Sequence, residues 1–177
     1  MFLPLALIAC GGEEKTNEGE NETLEITPEP IEEAAPEVMY TPDTSAEQLI
    51  VDYLKANKWT GERHESGMYI VVENAGEPEK PTLLDDVTIF YTGKLLDGTV
   101  FDGTTTEPAT FPLSNLIPGW QIGIPYFGEG GKGKLVIPPG LAYGEYGSGE
   151  AVPPNATLMF EIELVTFKKS AKKPMYY

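Results

Sequence analysis

After Ser66 the chain consists of short apolar runs separated by turn residues, and this pattern limits its fold most strongly. The runs have the length and the β-branched and aromatic content of strands, and Gly, Pro and Asp bound them. The last run alternates as follows: Leu158, Phe160, Ile162 and Leu164 against Met159, Glu161 and Glu163. Such alternation predicts a sheet with one buried face.

The same reasoning predicts six strands in this part of the chain, over residues 68–73, 86–95, 99–102, 109–113, 132–137 and 157–167. Asp97-Gly98 is a strong hairpin signal after the second of them. Only residues 118–124 offer a short helix among the strands. The predicted fold class is therefore α+β, with an antiparallel sheet around one small helix.

A longer helix is predicted before the strands, from Ser45 to about Lys58. Ser45 is a good N-cap, and Gln48 follows in capping-box register. The helix carries one apolar stripe: Ala46, Leu49, Ile50, Tyr53 and Leu54. We expect this stripe to pack on a surface, either the sheet domain or a second copy of the chain.

The N-terminal quarter of the chain has a different composition. The apolar run 2–9 ends in Leu-Ile-Ala before Cys10, which resembles a bacterial lipobox, where a signal peptide (residues 1–9) is removed and the cysteine is lipidated. Residues 11–43 hold eleven acidic residues against Lys15 and have little to bury, which predicts a disordered acidic tether over 10–43. The expected domain boundaries then place the N-terminal helix and connector at 44–65, the main domain at 66–167 and a basic tail at 168–177.

Composition also excludes several classes of function. One cysteine and one histidine argue against a disulfide framework and against a metal centre. The net charge of −16 argues against a nucleic-acid partner. We read the cluster Lys168, Lys169, Lys172 and Lys173 as solvating the C-terminus. No sequence pattern calls for a cofactor.

Five segments in the family's order resemble the FKBP family of peptidyl-prolyl cis-trans isomerases: residues 87–93 (VTIFYTG), 96–103 (LDGTVFDG), 111–120 (FPLSNLIPGW), 134–144 (KLVIPPGLAYG) and 152–164 (VPPNATLMFEIEL). The resemblance covers residues 66–167. It implies an antiparallel sheet half-wrapped around the short helix.

The resemblance also implies a site. Its catalytic residues would be Tyr91, Phe101, Asp102 and Tyr143, with Asp102 holding Tyr91 or a loop in place. Its substrate-binding residues would be Trp120, Phe111, Leu116, Ile117, Val152 and Phe160.

The implied function is isomerisation of X-Pro bonds during the folding of envelope or secreted proteins. An apolar pocket would favour the twisted amide by desolvation, without a metal, cofactor or nucleophile. The expected partners are proline-containing polypeptides and, through Cys10, a bacterial membrane, with the outer membrane or a periplasm-facing position favoured. A non-catalytic module that binds proline-containing segments, or a chaperone that uses the N-terminal helix, remains an alternative.

Overall fold

The computed structural model describes residues 44–170, which form two α-helices and seven β-strands. The predictions for the signal peptide, Cys10, the tether and residues 171–177 lie outside this range. The elements are α1 (Thr44–Ala56), β1 (Glu62–Arg63), β2 (Tyr69–Asn74), β3 (Asp86–Leu95), β4 (Val100–Gly103), β5 (Ala109–Pro112), α2 (Pro118–Gly123), β6 (Gly131–Ile137) and β7 (Leu158–Lys168). Neither of these two helices is long and apolar enough to cross a membrane.

All strands join one antiparallel sheet in the order β1-β2-β6-β7-β3-β4, and β5 pairs with β3 beside β4. The predicted α+β class and antiparallel sheet are thus confirmed. Strand β3 has the predicted bounds, and the other predicted strands differ by one residue at their ends. The two-residue β1 was not predicted, because two exposed residues carry no periodic signal.

Helix α2 packs against the inner face of the sheet, and two glycines allow its close approach. A Cβ atom at Gly119 would lie 2.5 Å from Ile137 Cγ2, and one at Gly123 would lie 2.6 Å from both Leu135 methyl carbons. Contacts this short would force the buried Ile137 and Leu135 side chains to shift, so glycine at both positions lets the PGWQIG segment lie on β6 without repacking the core. Trp120, on the same short helix, is thereby placed in the main core.

Helix α1 covers part of the opposite, outer face. Ile50 and Leu54 pack with Val71, Val136 and Met159 in a second cluster. The expectation that the stripe packs on a surface is confirmed, and the surface is the sheet itself. Since α1 covers Met159, which is 2% exposed, the prediction of a single buried face was wrong at this position.

The ends of α1 also differ from the prediction. The helix begins at Thr44, so Ser45 lies in its first turn rather than at the N-cap, and it ends at Ala56. Glu47 ties the helix to the sheet edge, because Arg63 Nε and Nη2 donate to its two carboxylate oxygens at 2.5 and 3.0 Å.

Candidate active site

A pocket of about 130 Å³ opens on the inner side of the sheet, beside α2. It is lined mostly by aromatic and aliphatic side chains: Tyr91, Asp102, Phe111, Leu116, Ile117, Trp120, Tyr143 and Phe160. These residues come from β3, β4, β5, α2 and β7 and from the segments before α2 and after β6. An apolar pocket with a few polar groups is the usual form of a ligand site.

Trp120 forms the base of this pocket and is 4% exposed. Tyr91 and Phe160 both meet its ring edge-on, with centroid distances of 5.0 and 5.1 Å. Edge-to-face packing is the favoured geometry for aromatic pairs, so the three rings hold each other in position. The indole Nε1 of Trp120 is buried and has no hydrogen-bond partner in the described structure.

Phe101 packs beside the pocket, against one of the rings that line it. Its ring meets Phe160 edge-on at 5.6 Å. Gly93 of β3 lies under both rings, and a Cβ there would be 2.7 Å from Phe101 Cζ and 2.8 Å from Phe160 Cε1. The glycine of the YTG segment is therefore what allows this aromatic pair to form.

The polar side of the pocket is built on Tyr91. Its hydroxyl donates to Asp102 Oδ2 at 2.9 Å. Burial, together with the hydrogen bond and the negative charge of Asp102, raises the pKa of Tyr91 to about 12, so the phenol is neutral at ordinary pH. Thr104 fixes the backbone beneath: the Tyr91 N–H donates to its Oγ1 at 3.0 Å, and that hydroxyl donates to the Tyr91 carbonyl at 3.3 Å.

Tyr143 approaches from the long loop between β6 and β7. The loop is closed by the Asn155 N–H, which donates to the Gly144 carbonyl at 2.9 Å, and by a bridge between Ser148 and Val152. Burial and the charge of Asp102 raise the pKa of Tyr143. Its hydroxyl makes no hydrogen bond to any residue from 44 to 170, so it can serve a ligand.

Another wall of the pocket is the turn that leads into α2. Leu116 and Ile117 are half-buried, and Pro118 begins the helix. Gln121 reaches back to this turn, where its Nε2 donates to the Leu116 carbonyl at 2.7 Å and to the Ser114 carbonyl at 3.2 Å. This side chain ties the turn to α2, in addition to the backbone hydrogen bond from the Leu116 N–H to the Leu113 carbonyl.

Eight of the ten predicted residues in this domain line the pocket, and two do not. Phe101 packs edge-on against Phe160, and Val152 is 3% exposed in the main core. Sequence reasoning missed Gly93, Thr104 and Gln121 as residues that position the site. Gly93 ends the VTIFYTG segment, but nothing in the sequence shows which side chains a glycine or a glutamine will contact.

The chemistry available here is binding and desolvation. The pocket offers two phenols, one carboxylate and an indole, and no cysteine or histidine lines it. In residues 44–170 there is also no cluster of His, Cys, Asp and Glu arranged to hold a metal ion. The site suits an apolar ring bearing a carbonyl group.

Sequence comparison identifies this class of domain. The family model "FKBP-type peptidyl-prolyl cis-trans isomerase" matches residues 77–165, which is half of the chain. The chain belongs to this family.

Individual relatives agree. The chain is 47% identical over 102 residues to a probable FKBP-type peptidyl-prolyl cis-trans isomerase FkpA of Neisseria meningitidis, covering 56% of this chain and 38% of that protein. It is 48% identical over 103 residues to the FKBP-type 22 kDa isomerase of Escherichia coli, covering 57% and 50%. The chain thus spans half or less of the length of these curated relatives.

Solved structures give the same result. The crystal structure of FkpA from Escherichia coli matches with a TM-score of 0.64 and 38% identity, covering 71% of this chain and 61% of that one. A peptidyl-prolyl cis-trans isomerase from Pseudomonas syringae matches with a TM-score of 0.62 and 30% identity, covering 73% and 98%. These matches confirm the FKBP-like fold.

Proposed function

We propose that this protein accelerates cis-trans exchange at X-Pro bonds of polypeptides, using the pocket over Trp120. The observation that carries the proposal is the edge-on packing of Tyr91 and Phe160 against Trp120, which gives a pocket of about 130 Å³ an apolar base. Membership of the isomerase family supports the same conclusion.

The physical argument starts from the X-Pro bond. Its cis and trans forms differ by about 0.5–1 kcal/mol, while a barrier of about 18–20 kcal/mol separates them. In the transition state the amide is twisted and has lost much of its dipole. A water-poor apolar pocket destabilises the planar dipolar ground state more than the twisted one, and this difference lowers the barrier.

Each polar group has a proposed task within this scheme. The free hydroxyl of Tyr143 would donate to a substrate carbonyl. Asp102 would hold the Tyr91 hydroxyl, and through it the Tyr91 ring against Trp120. Phe111, Leu116 and Ile117 would contact the residues beside the proline.

The direct test is an exchange assay with X-Pro peptides, by NMR or protease coupling, on the whole chain. We expect catalysis that chelators leave unchanged and that varies little between about pH 6 and 8, because the raised pKa values of Tyr91 and Tyr143 keep both phenols neutral there. Phe101→Ala and Asp102→Ala should reduce the rate more than Phe111→Ala, with circular dichroism to show that each variant is folded. Folded wild-type protein that binds such peptides but leaves their exchange rate unchanged would instead establish a proline-segment binding module.

The alternative of a chaperone helix gains no support from the structure. The apolar stripe of α1 is largely buried on the sheet, with Ile50 0% and Leu54 5% exposed. Only Leu49 of that stripe is strongly exposed, at 57%.

We further propose that the protein acts in a bacterial cell envelope, anchored by a lipid on Cys10, with residues 11–43 as a tether. The lipobox-like ending and the acidic composition of that segment support this. Mass spectrometry of membrane-extracted protein should find a diacylglyceryl group on Cys10, and Cys10→Ser should release the chain into the soluble fraction. A soluble wild-type chain that retains Met1 would rule the anchor out.

A further inference from the structure

The chain leaves the described domain close to one wall of the pocket. Lys168, the last residue of β7, pairs with Asp86, which pairs on its other side with Pro112 of β5. Neighbouring strands are about 4.8 Å apart, so Lys168 lies about 10 Å from β5. Phe111, next to Pro112 in that strand, lines the pocket.

Asp85 brings the end of the described chain closer still. The Ser170 N–H donates to Asp85 Oδ1 at 3.1 Å, and the Leu113 N–H donates to the Asp85 carbonyl at 3.0 Å. The Asp85 carboxylate is 2% exposed and also accepts from the Thr82 N–H at 2.8 Å. Asp85 therefore links Ser170 to Leu113. Leu113 in turn lies between Phe111 and Leu116 in the chain.

The segment that follows, residues 171–177, can span the remaining distance. Its sequence is Ala-Lys-Lys-Pro-Met-Tyr-Tyr, and it holds one X-Pro bond, Lys173–Pro174. Four extended residues reach about 14 Å from Ser170 to Pro174. Phe111 and Leu116 lie two and three residues from Leu113, no more than about 7–10 Å away.

Charge favours the same contact. Residues 44–170 contain 17 acidic and nine basic side chains, a net charge of −8, whereas residues 171–177 carry two lysines and no acid, a net charge of +2. An exposed carboxylate, Asp102, lies at the pocket. Opposite charges raise the local concentration of the segment at this surface.

The prolines of residues 11–43 are weaker candidates for the pocket. They lie in a run with eleven acidic residues and one lysine, which the acidic domain repels. The helix that connects them to the domain, α1, packs on the outer face, together with Val136 and Met159. The pocket opens on the other face, where α2 packs on Leu135 and Ile137.

We propose that residues 171–177 bind in the pocket of their own domain, with the Lys173–Pro174 bond in the place of a substrate's X-Pro bond. The segment is then both a tethered substrate and a competitor of other polypeptides, an inference that rests on the proposed function in taking the pocket as an X-Pro site. A short tether gives an effective concentration on the order of millimolar. If this equals the segment's own dissociation constant, half of the pockets are filled and the KM of an added peptide is about doubled.

The test measures the Lys173–Pro174 exchange rate by NMR in the labelled whole chain and in a synthetic peptide of residues 168–177. We expect exchange at least about tenfold faster in the chain, with the same rate after dilution. Pro174→Ala should lower the KM of an added X-Pro peptide about twofold and shift the indole N–H signal of Trp120. Pro36→Ala is the matched control and should change neither quantity.

The outcomes separate the two proposals. An added peptide that exchanges rapidly while Lys173–Pro174 stays as slow as in the synthetic peptide would overturn the self-binding and leave the isomerase intact. Acceleration that falls in proportion to dilution would overturn it too, since the contact would then be between molecules. If exchange is accelerated neither in the added peptide nor at Lys173–Pro174, the proposed isomerase function fails. If, in addition, Pro174→Ala leaves the Trp120 signal unchanged, the binding of residues 171–177 fails as well. An effect of Pro36→Ala in place of Pro174→Ala would assign the pocket to the other end of the chain.

Discussion

Replacement of Gly93 by alanine should damage the site by one added methyl group. The new Cβ would lie 2.7 Å from Phe101 Cζ and 2.8 Å from Phe160 Cε1, whereas ordinary contact begins near 3.4 Å. To restore ordinary contact with the new methyl group, Phe101 must therefore move away by about 0.7 Å and Phe160 by about 0.6 Å. Phe160 is 2% exposed and is held against Trp120, so its share of the movement disturbs the base of the pocket directly.

The expected cost follows from this geometry. Overpacking of this kind lowers the free energy of unfolding by about 1–3 kcal/mol. Misplacing a site wall by a fraction of an ångström to one ångström can reduce catalysis up to about a hundredfold, so we expect kcat/KM for X-Pro exchange to fall at least about tenfold. This loss of kcat/KM should be the same at every temperature at which both the wild type and Gly93→Ala are fully folded.

Gly98→Ala provides the matched control. Gly98 has a φ of +91° in the turn between β3 and β4, and a Cβ there would meet nothing within 4 Å. Alanine is strained at such a φ and should cost about 1 kcal/mol or more, but it touches no ring of the site. Urea unfolding measures the stability of both variants, and the exchange assay measures their activity per folded molecule.

The reasoning predicts that activity separates the two variants while stability does not. If Gly93→Ala keeps wild-type kcat/KM, the packing of Phe101 on Phe160 does not control the pocket. If Gly98→Ala loses as much activity as Gly93→Ala, the loss reflects the strand pair β3–β4 as a whole rather than the two rings.

Three further predictions test other parts of the structure. Ile50→Ala should lower the free energy of unfolding by about 2–4 kcal/mol in urea titrations and leave the exchange rate per folded molecule unchanged, because α1 packs on the face opposite the pocket. Because its pKa is raised to about 12, the Tyr91 phenol stabilises the fold fully below about pH 10, and this contribution is lost as the pH rises towards 12; wild type should therefore lose more stability over that range than Tyr91→Phe. Gln121→Ala removes the hydrogen bond to the Leu116 carbonyl and should raise KM several-fold in exchange assays at a stability cost near 1 kcal/mol.

Local patterns in the sequence were enough for the fold class and most of the site. Period-two alternation and turn residues are patterns of neighbouring positions, so they predict the strands directly, including the bounds of β3. The motif match named all eight residues that line the pocket, since they lie in segments with fixed spacing. The apolar stripe of α1 likewise predicted a helix that packs on another surface.

The tertiary structure decided what those residues touch. Met159 is buried because α1 folds back over the outer face, an event that the local alternation does not encode. Phe101 packs against Phe160, and Val152 is buried in the main core. Gly93, Thr104 and Gln121 shape the pocket through contacts 5 to 67 residues apart in the chain, which depend on strand register and helix packing. Sequence determines which side chains are available over a few neighbouring residues, whereas distances across the sheet exist only once the chain has closed on itself.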